Sequence, residues 1–163
     1  MGSSTSDRPP GHEDQQPAGL APSPVTDERI LRWLKDENYS YFLYSDGQIG
    51  GFWGLSTLAF VTSEEKSRLL VTGSWYRQAN IEHLPDILKT CNRWNIEHIF
   101  PKAYTRVRDD GSVHIRGQFI INTEHGLTSN QLSVHLERSV DSICQFFSYL
   151  DNQYPDPLQA ARS

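Results

Sequence analysis

Short turn signals separate the strand-like segments of this chain, and they limit its fold more than any other feature of the sequence. Asp46-Gly47 follows the aromatic run 41–44, and an Asp-Asp-Gly turn at 109–111 separates residues 102–108 from Ser112–Asn122. Both turns are hairpin signals, because glycine readily supplies the positive φ that tight turns require. Strands joined by such short turns run antiparallel, since a parallel pair needs a long crossover. The sequence therefore predicts a mainly antiparallel sheet.

Three segments have helical spacing instead. The first begins at Thr26, a good N-cap, and ends near Asn38, which tolerates the left-handed conformation that ends a helix. The second covers about 82–95. The third begins with a capping box, Thr128 with Gln131, and ends before Pro155. We expect an α+β domain with five to six antiparallel strands and three helices mostly on one side, in the order helix, meander, helix, hairpin, helix.

The meander between the first two helices contains the strand segments 41–44, 49–55, 57–62 and 68–75. Segment 49–55 includes Gly50, Gly51 and Gly54 around two aromatic residues. Glycine at this density indicates a bulge or a close backbone approach, and it leaves the register of the early strands open.

The two ends of the chain differ in composition from the middle. Residues 1–24 contain five prolines and one large apolar side chain, Leu20, apart from the initial Met. This segment cannot bury enough apolar surface to offset its ordering entropy, so it is predicted to be a disordered tail. The domain is expected at 25–155, with 156–163 as a frayed C-terminus.

Charge and hydropathy exclude several classes of protein. The formal net charge is −5, which argues against a general nucleic-acid binder, because such proteins need a basic footprint. No apolar run is long enough to span a bilayer, and no secretory signal is evident, so we expect a cytoplasmic protein that does not bind membranes. The cysteines Cys91 and Cys144 are expected to be buried, reduced thiols.

The sequence contains no recognisable catalytic pattern. It lacks a Gly-x-Ser-x-Gly elbow and a phosphate-binding glycine loop. The six histidines show neither the i, i+4 spacing on a helix nor the cysteine pairing that is typical of zinc sites. We therefore expect no catalytic residues, no cofactor and no metal, although a site assembled in space from scattered residues stays open.

The 102–118 hairpin is the most informative surface. If the turn pairs Arg108 with Ser112, the two-residue strand period places four candidate partner-binding residues on one face. These are Lys102, Tyr104, Arg106 and Arg116. Arg108 extends the row and His114 lies opposite Arg106. This face is either an ordinary solvated surface or a docking surface for an acidic or phosphorylated partner.

Four short segments give the chain a resemblance to a known family. They are 69–75 (LLVTGSW), 91–95 (CNRWN), 101–104 (PKAY) and 126–128 (GLT). They resemble the YbjN family of bacterial proteins, described as regulators of sensory transduction. The resemblance implies a fold similar to type III secretion chaperones, usually dimeric, and it transfers no catalytic residue.

The functional hypothesis is a non-enzymatic module that binds an unknown protein partner, chaperone-like or regulatory, as a homodimer. Phe146 and Tyr149 add apolar surface beside the core stripe of the last helix, which favours the dimer. The alternative is a domain that binds single-stranded nucleic acid or a nucleotide through the basic face of the 102–118 hairpin, and the acidic net charge makes nucleic acid the less favoured partner.

Overall fold

The computed structural model describes residues 19–155. It contains three α-helices, α1 (Asp27–Asp36), α2 (Leu84–Glu97) and α3 (Ser129–Gln153), and a short 3-10 turn at Ile81–His83 before α2. The six strands are β1 (Tyr41–Leu43), β2 (Ile49–Trp53), β3 (Ser56–Thr62), β4 (Arg68–Asn80), β5 (Lys102–Val107) and β6 (Ser112–Asn122). This is the predicted α+β order, with an antiparallel sheet arranged β1-β2-β3-β4-β6-β5.

The helix ends follow the local signals in the sequence. Thr128 accepts a hydrogen bond from the Gln131 backbone at 3.1 Å, and the Gln131 side chain accepts one from the Thr128 backbone at 2.9 Å. This reciprocal pair is the predicted capping box. Asn38 has a φ of 57° just after α1, as predicted for the residue that ends the helix.

The glycine-rich stretch forms regular strand β2 because aromatic rings lie against it. A Cβ on Gly50 would lie 2.5 Å from the Phe42 ring, and one on Gly51 would lie 2.6 Å from the Trp53 ring. The close-approach interpretation is therefore confirmed, and the register pairs Phe42 with Gly50.

Strand β4 is longer than the sequence indicated. It was predicted to end at Trp75, but it continues to Asn80, and its pairing with β6 shifts register between Ser74 and Gln78. The irregular segment directs the Trp75 indole toward α3, where it donates a hydrogen bond to Asp151 at 2.9 Å. The predicted start of α2 near Glu82 falls in the 3-10 turn, because the α-helix begins at Leu84.

All three helices pack on one face of the sheet. Phe60 of β3 contacts Trp33 of α1, and Trp94 of α2 contacts Phe146 of α3. At the centre, Gly73 of β4 pairs with Gly117 of β6. A Cβ on Gly73 would lie 2.5 Å from Ile143, so the paired glycines let α3 approach the sheet. No helix within residues 19–155 covers the opposite face, which we call the open face.

The domain contacts reach back to Gly19, ahead of the predicted start at residue 25, because the Ser129 amide donates to the Gly19 carbonyl at 3.2 Å. The Ser23 backbone exchanges hydrogen bonds with Leu127 at 3.0 and 3.2 Å. The Arg29 guanidinium donates to the carbonyls of Ser23 and Leu127 at 2.7 and 2.9 Å. These bonds tie the entry to α1 to the entry to α3. The rest of the predicted tail, residues 1–18, and the C-terminal residues 156–163 lie outside the described residues.

Candidate partner-binding surface

The hairpin β5–β6 has the register that the sequence predicted. Lys102 pairs with Gln118, Tyr104 with Arg116 and Arg106 with His114, and the Arg108 amide donates to the Ser112 carbonyl at 2.9 Å. Strand alternation places these residues on the open face. We call the cations Lys102, Arg106, Arg108 and Arg116, together with Tyr104, the basic stripe. The structure thus brings together all four candidate residues of the sequence analysis.

Tyr104 lies along the sheet. Its hydroxyl is 3.3 Å from Oγ1 of Thr72 on β4, although β6 runs between the two strands. Two strand spacings separate them by about 9.6 Å, so the side chain must extend across β6 to make this contact. The carbon of the Arg116 guanidinium is 6.0 Å from the centre of the tyrosine ring. Half-buried Tyr104 therefore forms the floor of the stripe beside Arg116.

Arg116 is the unusual cation of the stripe. The side chain is half-buried, and its Nε is shielded from solvent without a hydrogen-bond partner among residues 19–155. The one ion pair within 4.0 Å among the described residues joins Lys89 to Asp86, on α2. No carboxylate among residues 19–155 therefore neutralises the stripe at that distance. Cations without counter-ions on a partly desolvated surface attract an external anion more strongly than fully hydrated ones.

His114 lies at the edge of the stripe and is buried. Burial, followed by the charge of Arg108, lowers the pKa of its imidazole below the usual value of 6.5. One ring nitrogen is 3.3 Å from Oγ of Ser112, whose hydroxyl donates to Asp110 at 2.6 Å. His114 is thus held neutral near pH 7, and the positive charge of the stripe comes from its lysine and arginines.

An aromatic patch, which the sequence did not predict, occupies the other end of the open face. The Phe42 ring centre is 4.9 Å from those of both Tyr44 and Phe52. Phe52 and Tyr44 are exposed. The sequence did contain a signal for this patch, the glycine run beside aromatic residues. Gly50 has no side chain, and the Phe42 ring occupies the space that a Cβ there would take.

The last helix does not offer the free apolar surface that we expected for a dimer. Phe146 is fully buried, with its ring centre 5.0 Å from that of Trp94, and Tyr149 is half-buried 5.3 Å from the same indole. Both residues therefore hold α2 against α3. The argument for a dimer through this helix is wrong.

The end of α2 holds the start of β5 in place. Trp94 is buried and donates to the Pro101 carbonyl at 3.0 Å. The helix was predicted to end near residue 95, but it continues to Glu97. The Asn95 side chain instead bonds both the amide and the carbonyl of Ala103 in β5, at 2.8 and 2.9 Å.

The remaining chemical candidates do not form a reactive centre. Cys91 is buried, which raises the pKa of its thiol to about 11, while Cys144 is half-buried rather than buried. No three His, Cys, Asp or Glu side chains in the described part of the chain group as metal ligands would. A cavity of about 400 Å³ on the helix side is lined by Trp75, Arg77, His83 and Asp86 among others, but by no serine, threonine or cysteine of the described chain.

None of the helices within residues 19–155 has the length and apolar character needed to span a bilayer.

Comparisons with known proteins agree on one family. The family model described as "YbjN: Putative bacterial sensory transduction regulator" matches residues 26–152. A solved structure described as "Crystal structure of YbjN, a putative transcription regulator from E. coli" superposes with a TM-score of 0.69 at 13% sequence identity. The superposition covers 82% of this chain and 96% of that chain, so the two share a fold. No curated protein matches the sequence.

Proposed function

The chain belongs to the YbjN family, and we propose that it is a regulatory module that binds a protein partner through the basic stripe and catalyses no reaction. The observation that carries the proposal is Arg116, whose partly buried guanidinium has, in the described part of the chain, neither a carboxylate partner within 4.0 Å nor a hydrogen bond at Nε. A desolvated cation is costly for a folded protein unless an anion compensates it. A partner that supplies the anion would remove this cost.

The stripe favours an acidic or phosphorylated segment of the partner. Arginine donates two parallel hydrogen bonds to a carboxylate or a phosphate, and the stripe contains three arginines, Arg106, Arg108 and Arg116. The whole chain has a net charge of −5. An acidic partner is therefore repelled by most of the surface and directed to the stripe, which gives orientation as well as attraction.

Single-stranded nucleic acid is the second candidate, and one observation favours it. Tyr104 lies along the sheet beside Arg116, an arrangement on which a base can stack while its phosphate meets the guanidinium. The net negative charge weighs against this candidate, because nucleic-acid affinity depends mainly on neutralising phosphates.

Binding of labelled probes, measured by fluorescence anisotropy, tests the proposal. The probes are a glutamate-rich peptide, a phosphoserine peptide and a single-stranded oligonucleotide. We expect an anionic peptide to bind, and Arg106→Glu with Arg116→Glu to weaken that binding by roughly thirtyfold or more, which corresponds to about 2 kcal/mol. Lys102→Glu with Arg106→Glu should act in the same direction without altering half-buried Arg116.

A charge-matched variant makes the test specific. Lys35 lies on α1, and Arg68 is exposed near the far end of β4. Lys35→Glu with Arg68→Glu changes the net charge by the same amount as the stripe variant, so it should retain peptide binding. Equal losses in the two variants would show a general charge effect and contradict the proposal. Preferred binding of the oligonucleotide, lost in Tyr104→Leu, would establish the second candidate instead.

A further inference from the structure

The two edge strands of the sheet, β1 and β5, have backbone groups that point away from their neighbours. Such edges readily pair with another strand unless charge, proline or a covering group protects them. In β5, the Arg108 amide points toward β6 and bonds Ser112. Because backbone groups alternate in direction along a strand, those of Ala103, Thr105 and Val107 point outward, away from β6. Asn95 already bonds both outward groups of Ala103. With Lys102 and Arg106 also on this strand, β5 is a protected edge.

Within residues 19–155, strand β1 has no comparable protection. The Tyr44 amide donates to Gln48 at 2.9 Å, and the Ser40 carbonyl accepts from Phe52 at 3.2 Å. Alternation therefore directs the backbone groups of Tyr41 and Leu43 away from β2. Residues 38–45 contain no charged side chain and no proline. Tyr41 and Leu43 are 38% and 57% exposed, which leaves apolar surface beside the free backbone groups.

The absence of charge indicates what covers this edge. Two copies of a chain with a net charge of −5 repel each other, so their contact is least opposed where both surfaces are uncharged. The edge β1 meets this condition, whereas β5 would place cations opposite cations. An acidic partner gains no electrostatic attraction at β1, because residues 38–45 contain no cation.

We propose that two copies of this chain pair through β1, antiparallel and about a two-fold axis at Phe42. In this register Tyr41 lies opposite Leu43 of the second copy, and each of the two such pairs exchanges two hydrogen bonds. The four bonds use every outward group of Tyr41 and Leu43. Phe42 meets Phe42 of the second copy at the non-hydrogen-bonded position, with their Cα atoms about 4.5 Å apart.

The pairing joins the six strands of each copy into one continuous sheet of twice that number. The aromatic patches around Phe42 and Phe52 meet at the centre of the combined open face, and the two basic stripes lie at its far ends. The interface is isologous, because the same edge serves both copies, so the assembly closes as a dimer. This inference is independent of the proposed function, since no residue of the stripe contributes to the interface.

Sedimentation velocity of the full chain tests the assembly. We expect a species of twice the 18.6 kDa chain mass. Leu43→Lys should raise the dimer dissociation constant by about tenfold or more, because it places charge in the apolar contact while the backbone stays intact. The matched control is Thr105→Lys on β5, which should leave the dimer unchanged. A wild-type monomer, or a dimer equally weakened by both variants, overturns the proposal.

Disulfide trapping tests the register. In a Cys144→Ser background, Phe42→Cys should form an intermolecular disulfide on mild oxidation, because facing residues at a non-hydrogen-bonded position have closely spaced Cβ atoms. Thr57→Cys, on the same face but on the inner strand β3, should not cross-link. A dimer that tolerates Leu43→Lys and gives no Phe42→Cys cross-link uses another surface, and the proposal then fails.

Discussion

Two neighbouring cross-strand pairs at the middle of the sheet, Gly73 with Gly117 and Ser74 with Arg116, point to opposite faces. The glycine pair lies under α3, where a single added carbon on Gly73 would meet Ile143. The other pair lies on the open face, where half-buried Arg116 carries a charge and has no ion pair within 4.0 Å among the described residues. Adjacent residues of the same strands thus have opposite properties. On one face packing determines stability, and on the other charge is available for binding.

The largest contrast is expected between two isoleucines that are adjacent in β6. Ile121 faces the helices and is 3% exposed, whereas Ile120 faces the open side and is 50% exposed. Ile121→Ala should lower the free energy of unfolding by about 2–5 kcal/mol, because it leaves a cavity in the core. Ile120→Ala should change it by less than about 1 kcal/mol. Urea unfolding of both variants checks the difference, and similar losses would show that the open face is covered as well.

A smaller contrast is expected between Gly73 and Ser74. Gly73→Ala alone could stabilise the strand by restricting the unfolded chain. The new Cβ would lie 2.5 Å from Ile143 and 2.9 Å from Phe147, however, so overpacking should win and cost about 1–3 kcal/mol. Ser74→Ala, measured by the same urea unfolding, should have little effect. If Gly73→Ala matches wild type in stability, α3 is not held as closely to the sheet as we describe.

The smallest effect on stability is expected for His114, whose side chain lies on the open face but is shielded from solvent by its neighbours. Its pKa is lowered by burial and then by Arg108, so the folded chain binds this proton less readily than the unfolded chain does. Its neutral form therefore contributes stability above about pH 6.5, and this contribution is lost as the pH falls through the lowered pKa.

Unfolding curves of wild type and His114→Gln across this pH range measure the contribution. The two curves should differ in slope below pH 6.5, with wild type losing stability faster. Parallel curves would mean that His114 titrates as it does in the unfolded chain, and that the stripe does not bury it.

Local features were predictable from the sequence, and distant contacts were not. The hairpin register followed from the length of the turn at 109–111, and the capping box from two residues three positions apart. Strand β4 was predicted too short because its register shift lies beside Trp75, whose indole bonds Asp151, 76 residues away, and no local pattern reveals such a contact.

The same reason separates the predictable part of the candidate surface from the rest. Strand alternation placed Lys102, Tyr104, Arg106 and Arg116 on one face. It could not reveal that Tyr104 reaches Thr72 across β6 or that Nε of Arg116 is buried. The sequence also could not show that Asn95 bonds the edge strand β5. The partner, Ala103, lies beyond the loop that joins α2 to β5, and no sequence pattern gives the path of that loop.

Affinity capture from the source cells, with two charge-matched variants side by side, tests the central claim most directly. Arg106→Glu with Arg116→Glu should lose proteins that wild type retains, while Lys35→Glu with Arg68→Glu should keep them. Both variants should first unfold cooperatively, as wild type does, so that a loss of binding is not a loss of fold. Loss of the same partners only in the stripe variant is the result we predict, and an identical set of captured proteins in both variants would contradict the claim.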